Sequence, residues 1–519
     1  MSKIILTGHK ARLKVKAGID NAAEAVKPTL GVVGMTALIE FKGLEPVLCD
    51  DGVTVLRNLD FKDPYENMGL EMLRQAALRT SRKGGDGTAT TTVLTQALVN
   101  EAFKEIGEDS SKIREVRERL EAGLEEVIAE LSKLKREVKE EDIEKIAAIS
   151  SLDPEVAKLI AEIIKEVGAT GVVTVEKGSK LGYTKEVVKG ARFDKGLISP
   201  FFINDHENKQ TVLEDPYIVL IDRKVSTNEQ VLSLLNSIGT GKSILFVADD
   251  IESVALATLA QNAVNKIANI ACVRNPYSAS RGRDFLFDMA ALTGATVVSE
   301  ETGMKLDTQT KEVCGRAEKV IVTKDTTTII GGKGEPKDRI KAIQSDLEGT
   351  TSDYEKKMLE DRLAALTGGI GVIRVGAYTD TDFNAKKYKF ENGINATQAA
   401  LQEGILPGGG SALNYVSKNI NEPMIRRALL SPIKQMALNA GVTIFTRKTI
   451  FTDSSTKFDN LKYWGYDFKE KRIRDMFIGG IIDPFKVTRL ALESAVAVTS
   501  DLVTMEVAIV NEDEDHAEK

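Results

Sequence analysis

Apolar residues recur at helical spacing along much of the first 140 positions. The clearest run is 113–138. There Val116, Leu120, Leu124, Val127, Leu131 and Leu134 alternate with charged residues, the stripe of a surface helix packed on a core. Residues 10–27, basic at first and then small and apolar, predict another helix, as do 64–81 and 88–105. Between the first two helices, TALIEF and PVLCDDGVTV predict two short strands around a turn at Gly43. The pattern then changes. YIVLIDRKV, SILFVADD, NIACVRN and ATVVSE are short β-rich runs separated by helical segments at 228–238, 252–268 and 283–292. That alternation predicts parallel strands in an α/β layer. It begins near Gly190 and ends near Gly369, after a charged helical stretch at 336–366. The flanks, 133–189 and 370–402, mix helix with β-rich runs (GVVTVEKG, GVIRVGAY). Residues 403–505 return to helix, before an acidic tail, NEDEDHAEK, expected to be solvated. The order is nested, as when one domain is built from both chain ends and another is inserted in it.

The length agrees with this. At 519 residues the chain exceeds what one core can hold, and roughly two to four domains are expected. Hydrophobic content of 42% and charged content of 28% are those of a soluble globular protein. A net charge of −7 argues against a nucleic-acid binder or an anionic-membrane binder. Cys49, Cys272 and Cys314 lie far apart with no C-x-x-C pair, so neither a zinc site nor a disulfide framework is expected, and a reducing, cytoplasmic compartment fits. The N-terminus lacks the apolar segment of a signal peptide, and no run of about 18 apolar residues predicts a membrane span. His9, His206 and His516 are scattered and read as solvated surface residues.

Two glycine-rich stretches bear on chemistry. IGTGKS (238–243) ends like a phosphate loop, but Asn236 stands where the pattern needs glycine. A helix precedes it and a strand follows, the reverse of what that loop requires, so it reads as a glycine-capped helix end. GGDGTATTTVL (84–94) is better placed, directly before a helix whose amide N–H groups and dipole favour an anion. Thr88, Thr90 and Thr91 offer hydroxyls. Asp86 would repel a phosphate, unless a divalent cation such as magnesium lies between them. A capped turn with Asp86 as N-cap explains the local features equally well. Further segments join it: TLGVVG (29–34), CDDGVTV (49–55), LPGGGSAL (406–413) and IIDPFKVTR (481–489), each a glycine turn or an aspartate at a helix start.

Taken in order, these segments resemble a group I chaperonin, the bacterial GroEL type. The resemblance runs from about Lys10 to Val510 and includes PYENMGLEML, FDKGLISPFFIN, ALATLAQN, TKDTTTII, TSDYEKKMLEDRLAALTGG and LQEGILPGGG. It implies a mixed α and α/β subunit of three domains: a helical equatorial domain (1–132 and 403–519), a small α/β intermediate domain (133–188 and 371–402) and an inserted α/β apical domain (189–370). It implies ATP-driven rings of identical subunits, heptameric and single or double, that enclose unfolded protein clients in the cytoplasm, without nucleic acid or membrane. For the nucleotide it assigns Asp86 to magnesium, and Gly87, Thr88, Thr90 and Thr91 to the phosphates together with Leu30 and Gly31. Gly409 and Asp483 would hold the ribose and its surroundings, and Asp467 would lie by the adenine. Asp51 corresponds to a carboxylate near the γ-phosphate and its attacking water. For clients it points to an apolar apical groove at Leu197, Phe201, Phe202, Leu232, Leu235 and Leu256, with Ala260 and Gln261 at two further positions.

The chain also departs from the family. Val32 and Val33 replace a Pro-Lys pair. Ala89 replaces a hydroxyl often linked to a potassium site, which leaves a potassium requirement open. In FENGINAT the family's hydrolysis aspartate falls on Asn392, in a register without gaps from Val375 to Gly410. Asparagine orients a water but cannot take its proton, and losing a general base typically costs about 10²–10⁴-fold in rate. Asp51 would carry the remaining load. Ala260 and Gln261 stand where the family usually has valines, so the groove is less greasy and a GroES-type lid, which uses the same surface, is left open. GVTIFT (441–446) replaces the family's ring–ring contact, losing a glutamate at Thr443 and gaining Phe445, and the Gly-Gly-Met tail does not appear. These changes fit a diverged member, either phage-encoded or a specialised paralogue.

The expected activity is that of a chaperone with slow ATP turnover. The alternatives are a nucleotide-gated cage that barely turns over and a small-molecule phosphotransferase, for which no acceptor motif appears. Asn392→Asp should raise kcat for ATP hydrolysis in a steady-state assay; an unchanged or lower kcat would remove the role assigned to this position.

Overall fold

The computed structural model describes residues 3–40, 46–168, 171–178, 181–206, 208–299, 303–350, 352–442 and 462–511. The chain divides into two compact units, Met1–Glu162 with Tyr378–Lys519, and Ile163–Ala377. The nesting expected from the pattern is thus present at the level of two units. The expected boundary at 188/189 falls inside one continuous strand, Gly182–Phe193.

In the first unit the helix Phe485–Thr504 is buried along most of its length. It packs on the helices Pro64–Gly84, Thr88–Ile106 and Ile113–Leu134. Leu94, Leu98, Leu120, Val127, Leu131, Leu492 and Val496 form the larger apolar cluster, and the expected stripe of 113–138 supplies its share. A second cluster joins Val15, Ile19, Leu70, Leu73, Val99 and Leu502. Here the helices Gly8–Val26 and Pro64–Gly84 meet backbone to backbone. A Cβ on Gly18 would sit 1.8 Å from the Glu66 carbonyl oxygen, and one on Gly69 would sit 1.9 Å from that of Val15. Any side chain at either position would force the helices apart. The chain ends pair with each other, Lys3–Thr7 running antiparallel to Val507–Asn511.

One strand expectation needs correcting. Ala37–Ile39 and Val47–Cys49 form the expected antiparallel pair, but GVTV does not continue the second strand. It opens a short helix, Gly52–Arg57, because Asp51 caps it: the Asp51 carboxylate accepts from the Val53 and Thr54 amides. A local capping bond outweighed the β-branched propensity of the run.

The second unit holds two sheets. Tyr217–Val225, Ser243–Ile251 and Asn269–Arg274 are parallel neighbours, as the alternation predicts, with Gly315–Arg316 antiparallel at the edge. Val219, Ile221, Ile244, Phe246 and Ala248 face one apolar cluster with the helices Glu229–Ile238 and Ser253–Val264. Ile218, Leu220, Leu245 and Val247 face another with the helix Ala279–Thr293. Covering on both faces explains why these strands read as continuous apolar runs. ATVVSE is not a fourth parallel strand. Val298 makes one parallel bridge to Ile221, while Gly315–Arg316 takes the rest of that edge. The other sheet has six strands in the order Val172–Lys177, Gly369–Gly376, Gly182–Phe193, Thr327–Ile330, Lys319–Val322, Thr211–Glu214. IGTGKS is a glycine-capped helix end, with the Gly239 amide bonded to the Leu235 carbonyl and Gly239 at φ 89°.

A buried ion cluster ties this unit together. Asp288 accepts from Arg339 Nε at 2.7 Å and from Arg362 Nε and Nη2 at 2.7 and 2.9 Å. Removing the shared acid leaves two guanidinium groups without their main partner. Asp288→Ala is therefore expected to destabilise the protein by about 3 kcal/mol, read as a lower midpoint in denaturant unfolding followed by circular dichroism.

Candidate functional site

The glycine-aspartate loop joins two helices of the first unit. Gly85, at φ 83°, ends Pro64–Gly84, and Gly87, at φ 95°, is the N-cap of Thr88–Ile106. Asp86 does not cap that helix, so the capped-turn alternative fails. Its Oδ1 accepts from the neighbouring Gly87 amide, at 2.6 Å, and the helix start carries no side-chain cap. The first-turn amides of Thr88, Ala89 and Thr90 are therefore unclaimed by a capping side chain. The Thr91 hydroxyl is committed to the Gly87 carbonyl at 2.8 Å. Among the described residues the Thr88 and Thr90 hydroxyls have no protein partner.

Asp86 keeps surface open to solvent, yet protein crowds round it. Desolvation pushes its carboxyl above the ordinary aspartate range and the Asp51 charge pushes the same way, against hydrogen bonds from Gly87 N–H and the Ser150 hydroxyl. Asp483 is pushed up further, to about 7, by desolvation and then by the charge of Asp86, with a bond from the Gly409 amide opposing. Three carboxylates from distant parts of the chain thus act on one another. No three described His, Cys, Asp or Glu side chains converge closely enough to hold a metal by themselves.

The other expected residues surround this loop. Asp51 uses both oxygens in its cap and also accepts from the Thr54 hydroxyl at 2.7 Å. A Cβ on the adjoining Gly52 would lie 3.5 Å from Thr29 Oγ1 and 3.6 Å from Thr88 Cγ2, which places the TLG turn and the helix start beside Asp51. Leu30 is buried with Val93, Met436, Tyr466 and Phe468, and Ala89 packs against the same cluster. Gly31 sits on Met436, whose Cε also abuts Gly410. Gly409, at φ 63°, lies by Met476 and Ile481, and a Cβ on Gly408 would come within 2.9 Å of Asp483 Oδ1. Asp467 is buried in the turn between Trp464–Asp467 and Arg472–Asp475. It accepts there from the Lys469 and Glu470 amides and from Arg474. Asn392 is half-buried on the helix Asp380–Glu403, whose next turn, at Asn395, touches Gly85.

Sequence reasoning missed Asn439. Its amide donates to the carbonyls of Lys27, Pro28 and Leu30 and so holds the TLG turn in shape. It also missed Ser150. Neither lies in a glycine motif, and only contacts between residues far apart in the chain reveal either.

The expected client residues lie in the second unit and divide by burial. Phe201 is 66% exposed and Leu232 41%, whereas Phe202, at 2%, is core. Its assignment to the groove is corrected accordingly: the short turn Pro200–Phe202 turns one ring outward and anchors itself with the other. Leu197 pairs in a bridge with Val273 at the sheet edge. Leu235, Leu256 and Ala260 are part-buried against the core, and Gln261 is exposed. Val254 and Val264, on the helix of Leu256, are exposed apolar residues the sequence reading did not single out. Thr443 and Phe445 lie outside the described residues.

The model of the TCP-1/cpn60 chaperonin family matches residues 22–513. The chain belongs to that family, and the mixed α and α/β chaperonin fold expected from the sequence is the one observed. Among solved structures it is similar to the chaperonin gp146 from the bacteriophage EL 2 (Pseudomonas aeruginosa), crystallised in the presence of ATP-BeFx in two forms. One form gives a TM-score of 0.71 at 20% identity, covering 98% of this chain and 100% of that one. The other gives 0.65 at 22%, covering 98% and 99%. No helix among the described residues is long and apolar enough to cross a membrane.

The raised Asp483 carboxyl makes a pH prediction. Its folded value lies above the unfolded one, so the folded state holds the proton more tightly, and stability from this group is lost as pH rises from about 4 through about 7. Without nucleotide or divalent cation, Asp483→Asn should melt higher than the parent at pH 8. The gap should close as pH falls towards 4 in thermal scans; a gap independent of pH would exclude a charged Asp483 as its cause.

Proposed function

We propose that this chain is an ATP-dependent folding chaperone whose subunits form a ring around non-native polypeptides, with ATP binding and slow hydrolysis driving movement of the client-binding domain. The observation that carries the reading is the uncapped helix start at Thr88 beside the crowded Asp86 carboxylate. The residues present fit a magnesium–ATP complex. Two free hydroxyls and the first-turn amides suit phosphate oxygens, and left-handed glycines at 31, 87, 409 and 410 leave backbone open to close approach. Bound magnesium would offset phosphate charge and stabilise the Asp86 carboxylate against the desolvation and the Asp51 repulsion that raise it.

In this reading Asp86 holds the metal, while Gly87, Thr88, Ala89, Thr90 and Thr91 cradle phosphates against Leu30 and Gly31. Gly409, Asp483 and Asp467 border the nucleoside. Asn392 orients the attacking water, and Asp51 supplies the carboxylate beside it. Phosphoryl transfer asks a protein mainly to position groups and neutralise charge, which such a set can do slowly without a strong base. The three-domain division, the homo-oligomeric ring of seven, cytoplasmic placement and capture of clients by Phe201, Leu232, Leu235, Leu256 and their neighbours belong to the same proposal. Exposed apolar side chains such as Phe201 and Leu232 are suited to non-native chains.

The test joins three readouts. Mass photometry or electron microscopy should find rings. A single-turnover assay should find slow hydrolysis that Asp86→Ala abolishes. A refolding assay should find ATP-dependent recovery that Phe201→Ser with Leu232→Ser weakens without slowing hydrolysis. Rings with refolding but no turnover would favour the nucleotide-gated cage, and monomers would overturn the proposal.

A further inference from the structure

We propose that Gly85 is the seat on which the helix Asp380–Glu403 docks, and that the missing side chain there sets how close Asn392 comes to the Asp86 loop. The inference rests on the nucleotide role proposed for that loop.

The contact is between backbones. A Cβ on Gly85 would lie 2.0 Å from Asn395 Cβ, 2.7 Å from the Asn395 carbonyl carbon and 2.9 Å from the Ala396 nitrogen. None of these is the movable end of a side chain, so a residue larger than glycine must push the helix away. The opposite side of the helix is also closely packed, though less tightly. A Cβ on Gly393 would meet Ile160 Cδ1 at 2.6 Å, with the Ala147 carbonyl oxygen and Ser151 Cβ each at 3.4 Å. Ala396 and Ala400 pack without exposed surface against Ile146, Ile405 and Ile482. The helix is therefore gauged from two sides: Gly393 lets it settle on the helices Glu140–Ser151 and Pro154–Val167, and Gly85 lets it reach the loop. Asn392 is the neighbour of one gauge and lies one turn from the residue on the other. Asp86 follows Gly85 directly, so the spacing of Asn392 and Asp86 is read from a single backbone contact. Gly85 is a positioning residue. It touches neither nucleotide nor water in this proposal, and its effect runs through the helix.

Gly85 also has φ 83°, a conformation that costs a side chain strain whatever the space, and the experiment must separate strain from contact. The variants are Gly85→Ala, Gly85→Asn and Gly85→Ala with Asn395→Gly. Asparagine tolerates the left-handed conformation better than alanine but carries the same Cβ. Three readouts are taken: affinity for a fluorescent ATP analogue, single-turnover hydrolysis, and amide hydrogen exchange over 85–88 and 392–397.

Both single variants should lose about tenfold or more in hydrolysis while affinity stays within about threefold, since ångström-scale misplacement costs rate rather than binding. Exchange at 392–397 should rise in both, and Asn395→Gly should restore part of the rate to the alanine variant. If Gly85→Asn hydrolyses at the parent rate while Gly85→Ala is slow, strain alone is responsible and the seat is overturned. Parent rates in both, or affinity lost in step with rate, overturn it as well. Should Gly85→Ala fail to fold, Gly85→Asn carries the test. Should the parent chain hydrolyse no ATP, the proposed catalytic role fails, but the exchange readout still decides the seat: unchanged protection in Gly85→Asn overturns it.

Discussion

A carboxylate crowded by protein and by two other carboxylates, at the head of a helix it does not cap, is the constraint around which the first unit is arranged. Asp86 cannot relieve its own position. It takes one hydrogen bond from the adjacent Gly87 amide and one from Ser150, while desolvation and the Asp51 charge press on it, and its own charge presses on Asp483. A helix start would ordinarily be capped by such a residue. Here the cap is glycine, and no side chain claims the amides; in the proposed function a ligand that brings positive and negative charge together serves both the amides and the acid. A metal–phosphate complex has that chemistry.

Keeping such a loop in shape takes support from remote sequence. Asp51 comes from a cap on a short helix, Asp483 from the start of the long buried helix near the chain's other end, and Asn439 clamps the TLG turn through three carbonyls. These groups are brought together by the helix pairs of the unit, and glycine permits close approach at several of them. Gly18 and Gly69 do this for two helices in the core, and Gly85 and Gly393 for the helix that carries Asn392. The same means, a missing Cβ at a backbone contact, serves packing in one place and the proposed positioning in another.

Much of the fold is legible in the chain. Helical stripes such as 113–138 and the apolar runs of the parallel sheet signal themselves because periodicity and propensity agree with burial. The errors come where a local or edge effect decides. GVTV has strand composition, yet one capping aspartate turns it into helix. ATVVSE has strand composition too, but the edge it would join is shared with Gly315–Arg316. Phe201 and Phe202 are indistinguishable as letters, and only the turn at Pro200 makes one surface and the other core.

The sequence by itself determined the family, the nested order of the units and the chemical kinds of residue at the loop, because motifs and hydrophobic periods are short-range properties written directly in the chain. Tertiary structure alone decided that Asp86 does not cap its helix, that desolvation and then the charge of Asp86 push the Asp483 carboxyl up to about 7, that Ser150 bonds to Asp86 and Asn439 to the TLG turn, and that Asn395 rests on Gly85. Each of these depends on packing between residues far apart in the chain. Burial, field and steric fit at such contacts arise only once the backbone has been brought together.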